Sequence, residues 1–211
     1  MLAEALLDAW SVLMPVTCAG CGADDRALCV SCRAQLTAAP YRQRLSDGTA
    51  LISALRYDGV VRHTILAFKE LGRTDVARSI ARPLAVVIGA AVSGRVELAS
   101  IPPSRSSYRR RGYDPVRLLL GKAGFRVPPT VLVNRYEREH QKTLDRQSRA
   151  RNLVRSMRAR RPLTGRRFLL IDDVATTGAT LIEAARALRE NGGEVVGAAT
   201  LAYTPKLFLD S

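Results

Sequence analysis

Residues 169–180 read LLIDDVATTGAT. An apolar run stops at two adjacent carboxylates, Asp172 and Asp173, and small residues and threonines follow at once. RFLLIDD, from Arg167, has the continuous apolar character of a strand covered on both faces. Beyond it, Leu181, Ala184, Ala185 and Leu188 recur at helical spacing until Gly192-Gly193 ends the run. A buried strand turning into an amphipathic helix is one unit of a parallel α/β sheet.

The rest of the chain repeats this alternation. ALISALRYDG (50–59) reads as a strand, and VVRHTILAFKEL as a helix through Val61, Ile65 and Phe68, stopped by Gly72. Asp75 is placed to cap a second helix running to about Val92, with Ile80, Leu84, Val87 and Ile88 on one face. VELASIP and PTVLVN are short strands. DPVRLLLGKAG begins with a capping Asp114 and Pro115 in the first helical turn, and EVVGAATLAY is a further strand. Strands alternating with helices predict a doubly wound parallel α/β sheet.

In such a sheet, ligands sit beyond the C-terminal strand ends, where Asp172 and Asp173 lie. Thr176, Thr177, Gly178 and Thr180 then form the turn into a helix whose free N–H groups and positive dipole end suit a phosphate. Gly178 lets backbone approach an anion, and the threonine hydroxyls add donors. Carboxylates accept from hydroxyls, so acids beside a phosphate cradle suit a sugar phosphate. A magnesium-binding acid pair or an ordinary strand-to-helix turn fits the spacing too. The segment has neither the G-x4-G-K-[ST] nor the G-x-G-x-x-G pattern.

The four cysteines follow C-x2-C, seven residues, C-x2-C: Cys18, Cys21, Cys29 and Cys32. Two such pairs can complete a tetrahedral zinc site, and Gly20 and Gly22 suit the tight turns between sulfurs. Two disulfides or free thiols are the alternatives. A closed four-cysteine site is structural and leaves no open position for chemistry. The expected organisation is a helix and four-cysteine module over 1–40, followed by the α/β domain over 41–211.

The 211 residues carry 33 Lys and Arg against 19 acids, a net charge of +14. From Ser104 to Arg161 the count is 17 basic and 4 acidic residues, so +13 of the surplus sits in one segment. Concentrating like charge is costly without anionic partners. No apolar run reaches the ~18 residues of a membrane span. MLAEALLDAWSVLMPVTC carries Glu4 and Asp8 and no early Lys or Arg, so it reads as an amphipathic helix ended by Pro15 rather than an export signal. A cytoplasmic protein is the expectation.

LLIDDVATTGATL resembles the phosphoribosyl-diphosphate signature of type I phosphoribosyltransferases. The four-cysteine knuckle, FKELGR at 68–73, RRGYD at 110–114, and the series Arg135, Gln141, Leu144, Arg149 and Asn152 resemble the ComF family, in order along nearly the whole chain. That resemblance implies phosphoribosyl diphosphate as ligand. Asp172 and Asp173 would hold the ribose 2- and 3-hydroxyls. Ala175, Thr176, Thr177, Gly178, Ala179 and Thr180 would cradle the 5-phosphate. The loop with Pro103, Ser104 and Arg105 would face the diphosphate, and Arg109 and Arg111 would neutralise it together with magnesium. Relatives often carry Asn-Gln where this chain has Asp114-Pro115; an acid opposes an anion, so phosphate contact is not expected there.

Three functions follow: phosphoribosyl transfer to a nitrogenous acceptor, handling of single-stranded DNA as in competence and DNA uptake, and regulatory binding of phosphoribosyl diphosphate without turnover. The intact acid and threonine motif favours the first and third. The basic segment favours the second, with Arg109, Arg110, Arg111, Arg149 and Arg151 expected along one nucleic-acid groove and DNA-processing proteins as possible partners. Its aromatics for base stacking are few: Tyr108, Tyr113, Phe125 and Tyr136. Neither His63 nor His140 sits in a catalytic setting.

Overall fold

A computed structural model of the chain describes residues 16–24, 26–127, 129–135 and 155–205. Residues 1–15, where an amphipathic helix is expected, and 136–154, with Arg149 and Arg151, lie outside the described residues.

Five strands form the main sheet: β1 (Tyr41–Arg44), β2 (Ala50–Arg56), β3 (Glu97–Ser100), β6 (Arg167–Ala175) and β7 (Glu194–Tyr203), in the spatial order β1-β2-β7-β6-β3. All neighbours are parallel except β1, which pairs antiparallel with β2. The sheet is therefore mixed, with one antiparallel edge. β6 is an interior strand and β7 occupies the middle. A second sheet pairs β4 (Leu132–Asn134) with β5 (Met157–Ala159), antiparallel.

The apolar run of β6 is split between two cores, as a period of two requires. Leu169 and Ile171 join α2 (Gly59–Glu70), α3 (Ala77–Ala91) and α5 (Pro115–Lys122) through Ile65, Phe68, Ile80, Leu84, Leu119 and Leu120. Phe168 and Leu170 face α6 (Ala179–Arg189) and the small sheet through Leu181, Leu188, Leu132 and Met157. Phe168 to Ile171 are at most 1% exposed, so the strand is covered on both sides.

Two more helices stand among the described residues: α1 (Val30–Ala34) within the cysteine segment and α4 (Arg105–Arg111) after β3. Cys18, Leu28, Cys32 and Leu36 belong to the same buried cluster as α2 and α3, so the cysteine segment packs directly onto the sheet's helical layer. The small sheet is held to α6 by Glu183, which accepts from Met157 N at 2.9 Å, and by Arg186, which donates to Met157 O at 3.0 Å.

One expected cap is corrected. Asp75 does not cap α3. A 3-10 turn over Thr74–Val76 precedes that helix, and Val76 at the cap position makes no side-chain bond. The Asp75 carboxylate is taken instead by Arg73, whose Nε and Nη2 reach it at 3.1 and 2.8 Å. Asp114 does cap α5, accepting from Arg117 N at 3.1 Å. The segment after ASIP, expected as a loop, is helical from Arg105, with Ser104 accepting from Ser107 N at 3.1 Å.

Candidate sugar-phosphate site and cysteine cluster

β6 outlasts its neighbour. The ladder between β3 and β6 ends at Ser100 and Ile171, whereas β6 continues to Ala175 alongside β7. The acids therefore lie where one side of the strand has lost its partner, at the C-terminal edge of the sheet. Successive strand residues point to opposite faces. Asp173 is 9% exposed, and Asp172 is half-buried. Oδ1 of Asp172 accepts from Asp173 N at 2.8 Å. Burial, and then the Asp173 charge, push the Asp172 carboxyl well above the usual carboxylate range, to about 8.

Asp173 has a partner that the sequence did not announce. Lys69, on the last turn of α2, donates to its Oδ1 at 2.9 Å. Burial pulls the Lys69 ammonium down, but Asp173 outweighs it and leaves the pKa above its ordinary value. FKELGR marked a resemblance at this position; in a helical reading Lys69 is only a polar residue near a helix end.

The turn after the acids has the expected form. Ala175 closes β6, Thr176 and Thr177 are exposed, and Gly178 is the N-terminal cap of α6. Gly178 has φ of 70°, in the left-handed region, and a Cβ there would lie 2.5 Å from Leu45 Cδ2. Ala179 and Thr180 begin the helix. The turn is tied back to β7's end by Thr204, whose N donates to Ala175 O at 3.0 Å and whose Oγ1 donates to Thr176 O at 3.1 Å.

A cleft of about 700 Å³ runs from the end of β3 between α4 and α5, lined by Pro102, Pro103, Arg105, Tyr108, Arg109 and Asp114 among others. Tyr108 is 50% exposed. Ser104 is turned to its own helix: besides capping, its hydroxyl donates to Ser107 Oγ at 2.9 Å. The three consecutive arginines divide. Arg109 faces the cleft. Arg110 bonds Glu70 Oε2 at 2.8 Å, and Arg111 bonds Glu70 Oε1 at 2.6 Å and Lys69 O at 2.7 Å. Tyr113 adds a bond from its hydroxyl to Phe68 O. The segment after β3 thus clasps the last turn of α2. Asn134 Nδ2 on β4 donates to Pro103 O at 3.0 Å, which ties the small sheet to the same segment.

The four cysteine sulfurs lie within 4.8 Å of one another. None is in a disulfide. Ligands at ~2.3 Å in a tetrahedron stand about 3.8 Å apart, and Cys21 Sγ and Cys29 Sγ are 3.8 Å apart. Backbone amides turn inward: Cys29 N donates to Cys18 Sγ at 3.3 Å and Cys32 N to Cys29 Sγ at 3.4 Å. A hydroxyl bond from Ser31, with the Cys32 amide, lowers the Cys29 thiol to about 6, whereas burial pushes Cys32 up. The residues fit a metal ion. His63 supports this module rather than chemistry, its Nδ1 standing 3.2 Å from Gly20 O.

Residues 122–209 match the family of the phosphoribosyl transferase domain. The matched stretch takes in Asp172, Asp173 and Gly178. The DNA utilization protein YhgH of Escherichia coli O6:H1 is 25% identical over 193 residues, 85% of each chain. Orotate phosphoribosyltransferase of Mycobacterium leprae is 31% identical over 90 residues, 43% of this chain and 44% of that protein. With the cysteine group, these matches bear out the ComF-family resemblance. A solved orotate phosphoribosyltransferase from Aeropyrum pernix covers 86% of this chain and 94% of its own at 18% identity, with a TM-score of 0.35. A likeness that remote adds nothing to the strand order described above.

Proposed function

We propose that the chain binds phosphoribosyl diphosphate and transfers its phosphoribosyl group to a nitrogenous acceptor. The observation that carries this is the placement of Asp172 and Asp173 where β6 outruns β3, directly before a left-handed Gly178 and the N-terminus of α6. The acids are set to accept from the two ring hydroxyls. Ala175 to Thr180 offer backbone N–H groups and threonine hydroxyls to the 5-phosphate. The ligand arrives as its magnesium complex. Arg105 and Arg109 face its diphosphate, while Arg111, through its bond to Lys69 O, holds the wall of the site. A nitrogen lone pair forms the new bond to the anomeric carbon as the carbon–oxygen bond to diphosphate breaks, and the nitrogen's proton leaves to solvent or a carboxylate. The ring gains oxocarbenium character on the way. Positioning and fixed charge lower such a barrier.

Isothermal titration with magnesium phosphoribosyl diphosphate tests the binding, and diphosphate release across a panel of bases and amines tests turnover. Asp172→Asn with Asp173→Asn abolishes binding on this reading and leaves the fold intact. Thr177→Val weakens it less, because backbone amides supply most of the cradle. Binding without release for any acceptor selects the regulatory role.

The YhgH relative, which is named for DNA utilization, and the +13 segment favour a second role that can coexist: contact with single-stranded DNA along the cleft. Tyr108 offers a stacking face and Arg109 a cation there. Labelled DNA titrated at several salt concentrations should show a log–log slope of about 0.7 per phosphate contact. Replacing Arg109, the cation of the cleft, by Gln should lower that slope by about one contact. Equal affinity removes nucleic acid from the list of partners. This role places the chain in the cytoplasm beside DNA-processing proteins. Among the described residues no helix is long and apolar enough to cross a membrane. We assign zinc to the cysteine group on its four thiolate donors, as a structural ion.

A further inference from the structure

We propose that Lys69 is the positioning residue of the acid pair: its ammonium occupies one oxygen of Asp173, so that the other oxygen and Asp172 are left to receive a sugar diol. This deepens, and rests on, the sugar-phosphate reading above.

Four observations carry it. First, the contact is long-range and sequestered. Lys69 Nζ meets Asp173 Oδ1 at 2.9 Å across 104 residues, with side chains 23% and 12% exposed. A lysine near a helix C-terminus ordinarily extends its ammonium to water. This one turns inward. Second, the ammonium bonds one acid of the pair, Asp173, and acts on Asp172 through its charge. Third, the helix end that carries Lys69 is held at three successive residues. Phe68 O accepts from Tyr113, Lys69 O from Arg111, and the Glu70 carboxylate from Arg110 and Arg111. The ammonium is thereby referred to the same α4–α5 segment that lines the cleft. Fourth, stability alone is a poor reason for a sequestered ion pair, since apolar replacements of such pairs are often neutral or stabilising. Placed on the second acid of the motif, the pair has a functional explanation. Two adjacent carboxylates repel each other, and a cation bonded to one of them offsets that repulsion. The bond from Lys69 fixes the orientation of the Asp173 carboxylate. The third acid of the neighbourhood, Asp114, is occupied with capping α5.

The ligand class that needs this device is a furanose with vicinal hydroxyls and a 5-phosphate. The phosphate cradle at α6 does not depend on Lys69. The test compares two probes, ribose 5-phosphate and inorganic phosphate, titrated into the full chain. Lys69→Met, close in shape but uncharged, should weaken ribose 5-phosphate about tenfold or more and leave phosphate affinity unchanged. Lys69→Arg should recover part of the loss. In the background of Asp173→Asn, Lys69→Met should have no further effect on the sugar phosphate. An unchanged ribose 5-phosphate affinity, or equal losses for both probes, overturns the positioning role. If Lys69→Met fails to fold, Lys69→Gln takes its place with the same two probes. The two failures are separable. If the double Asn variant still binds ribose 5-phosphate as wild type does, the sugar-phosphate reading itself is lost. If it loses binding while Lys69→Met does not, only the role of Lys69 is lost.

Discussion

Gly178→Ala is the smallest perturbation that probes the turn on which the site depends. At φ of 70° the added Cβ enters the left-handed region, and it would stand 2.5 Å from Leu45 Cδ2. Left-handed backbone costs a non-glycine residue about 1–2 kcal/mol. Leu45 is 7% exposed and packed against the second core, so it yields only by leaving its rotamer, at about 0.5–1.5 kcal/mol. A total near 2 kcal/mol lowers the melting temperature of a domain this size by about 4–8 °C. The two parts separate in a cycle with Leu45→Ala. That change alone costs about 2–5 kcal/mol as a cavity, but it gives the new methyl room. The double variant should therefore lie above the sum of the singles by the steric part. Calorimetry gives the stabilities, and titration with inorganic phosphate follows the cradle, which should weaken in both variants that carry Gly178→Ala. A Gly178→Ala protein that melts with wild type and binds phosphate equally well would refute the assigned turn geometry.

Three further outcomes can be checked. Asp172→Asn should raise stability, because a carboxyl whose pKa is lifted from 3.8 to about 8 on folding disfavours the native state increasingly as pH rises between those values. Melting scans should show the gain widening up to about pH 8 and constant above it. Glu183→Gln should cost about 3 kcal/mol near neutrality, since it weakens the anchor of the small sheet. Burial raises the Glu183 carboxyl, but Arg186 and the Met157 amide outweigh it and hold the pKa below 4.5. The stabilisation is complete above pH 4.5 and lost as pH falls through the lower folded value, so urea midpoints of variant and wild type should converge in acid. For the cysteine group, metal analysis of reduced protein should find one zinc per chain, and a strong chelator should lower the melting temperature; ion binding of this class is worth about 10 kcal/mol or more. Freshly purified protein without metal overturns that assignment.

The elements that could be read from sequence are those whose stability is local or periodic. β6 and α6 announced themselves by an apolar run and then a helical repeat, and both end within a few residues of their expected bounds. The cysteine spacing needed no tertiary information, because a knuckle turns both sulfurs of a pair to one side by itself. α4 was invisible for the opposite reason. RSSYRRR buries no residue, and its ties run to Glu70, 40 residues away or more. β1 is an edge strand of four largely exposed residues, held partly by Tyr41 stacked on Tyr203 at 4.5 Å. Asp75 was a good cap in isolation, but its carboxylate is taken by Arg73, two residues earlier. In the site, the acids and the glycine turn were legible because their spacing is their chemistry. Lys69 was not, because its meaning comes from a partner 104 residues distant.

The same helix that delivers Lys69 also meets the cysteine group, and this yields the last expectation. Gly20 lies against the first turn of α2. A Cβ on it would stand 2.8 Å from Cys32 Sγ and 2.9 Å from Val60 Cγ1. His63, one turn on, bonds Gly20 O, and past the helix Arg73 donates to Thr17 O at 3.0 Å. The module therefore grips α2 near its start and again beyond its end, and the twelve-residue helix spans about 18 Å between the two. Gly20→Ala must displace either the Cys32 sulfur or Val60. Neither can move far, since Cys32 is 1% exposed and the module shares its core with Ile65 and Phe68. The expected result is a lower melting temperature together with faster loss of metal to a chromogenic chelator. Because Phe68 and Lys69 sit at the other end of the same rigid element, ribose 5-phosphate affinity should fall in parallel while inorganic phosphate affinity holds. Metal loss at the wild-type rate in Gly20→Ala would show that the close approach between Gly20 and Cys32 does not constrain the ion.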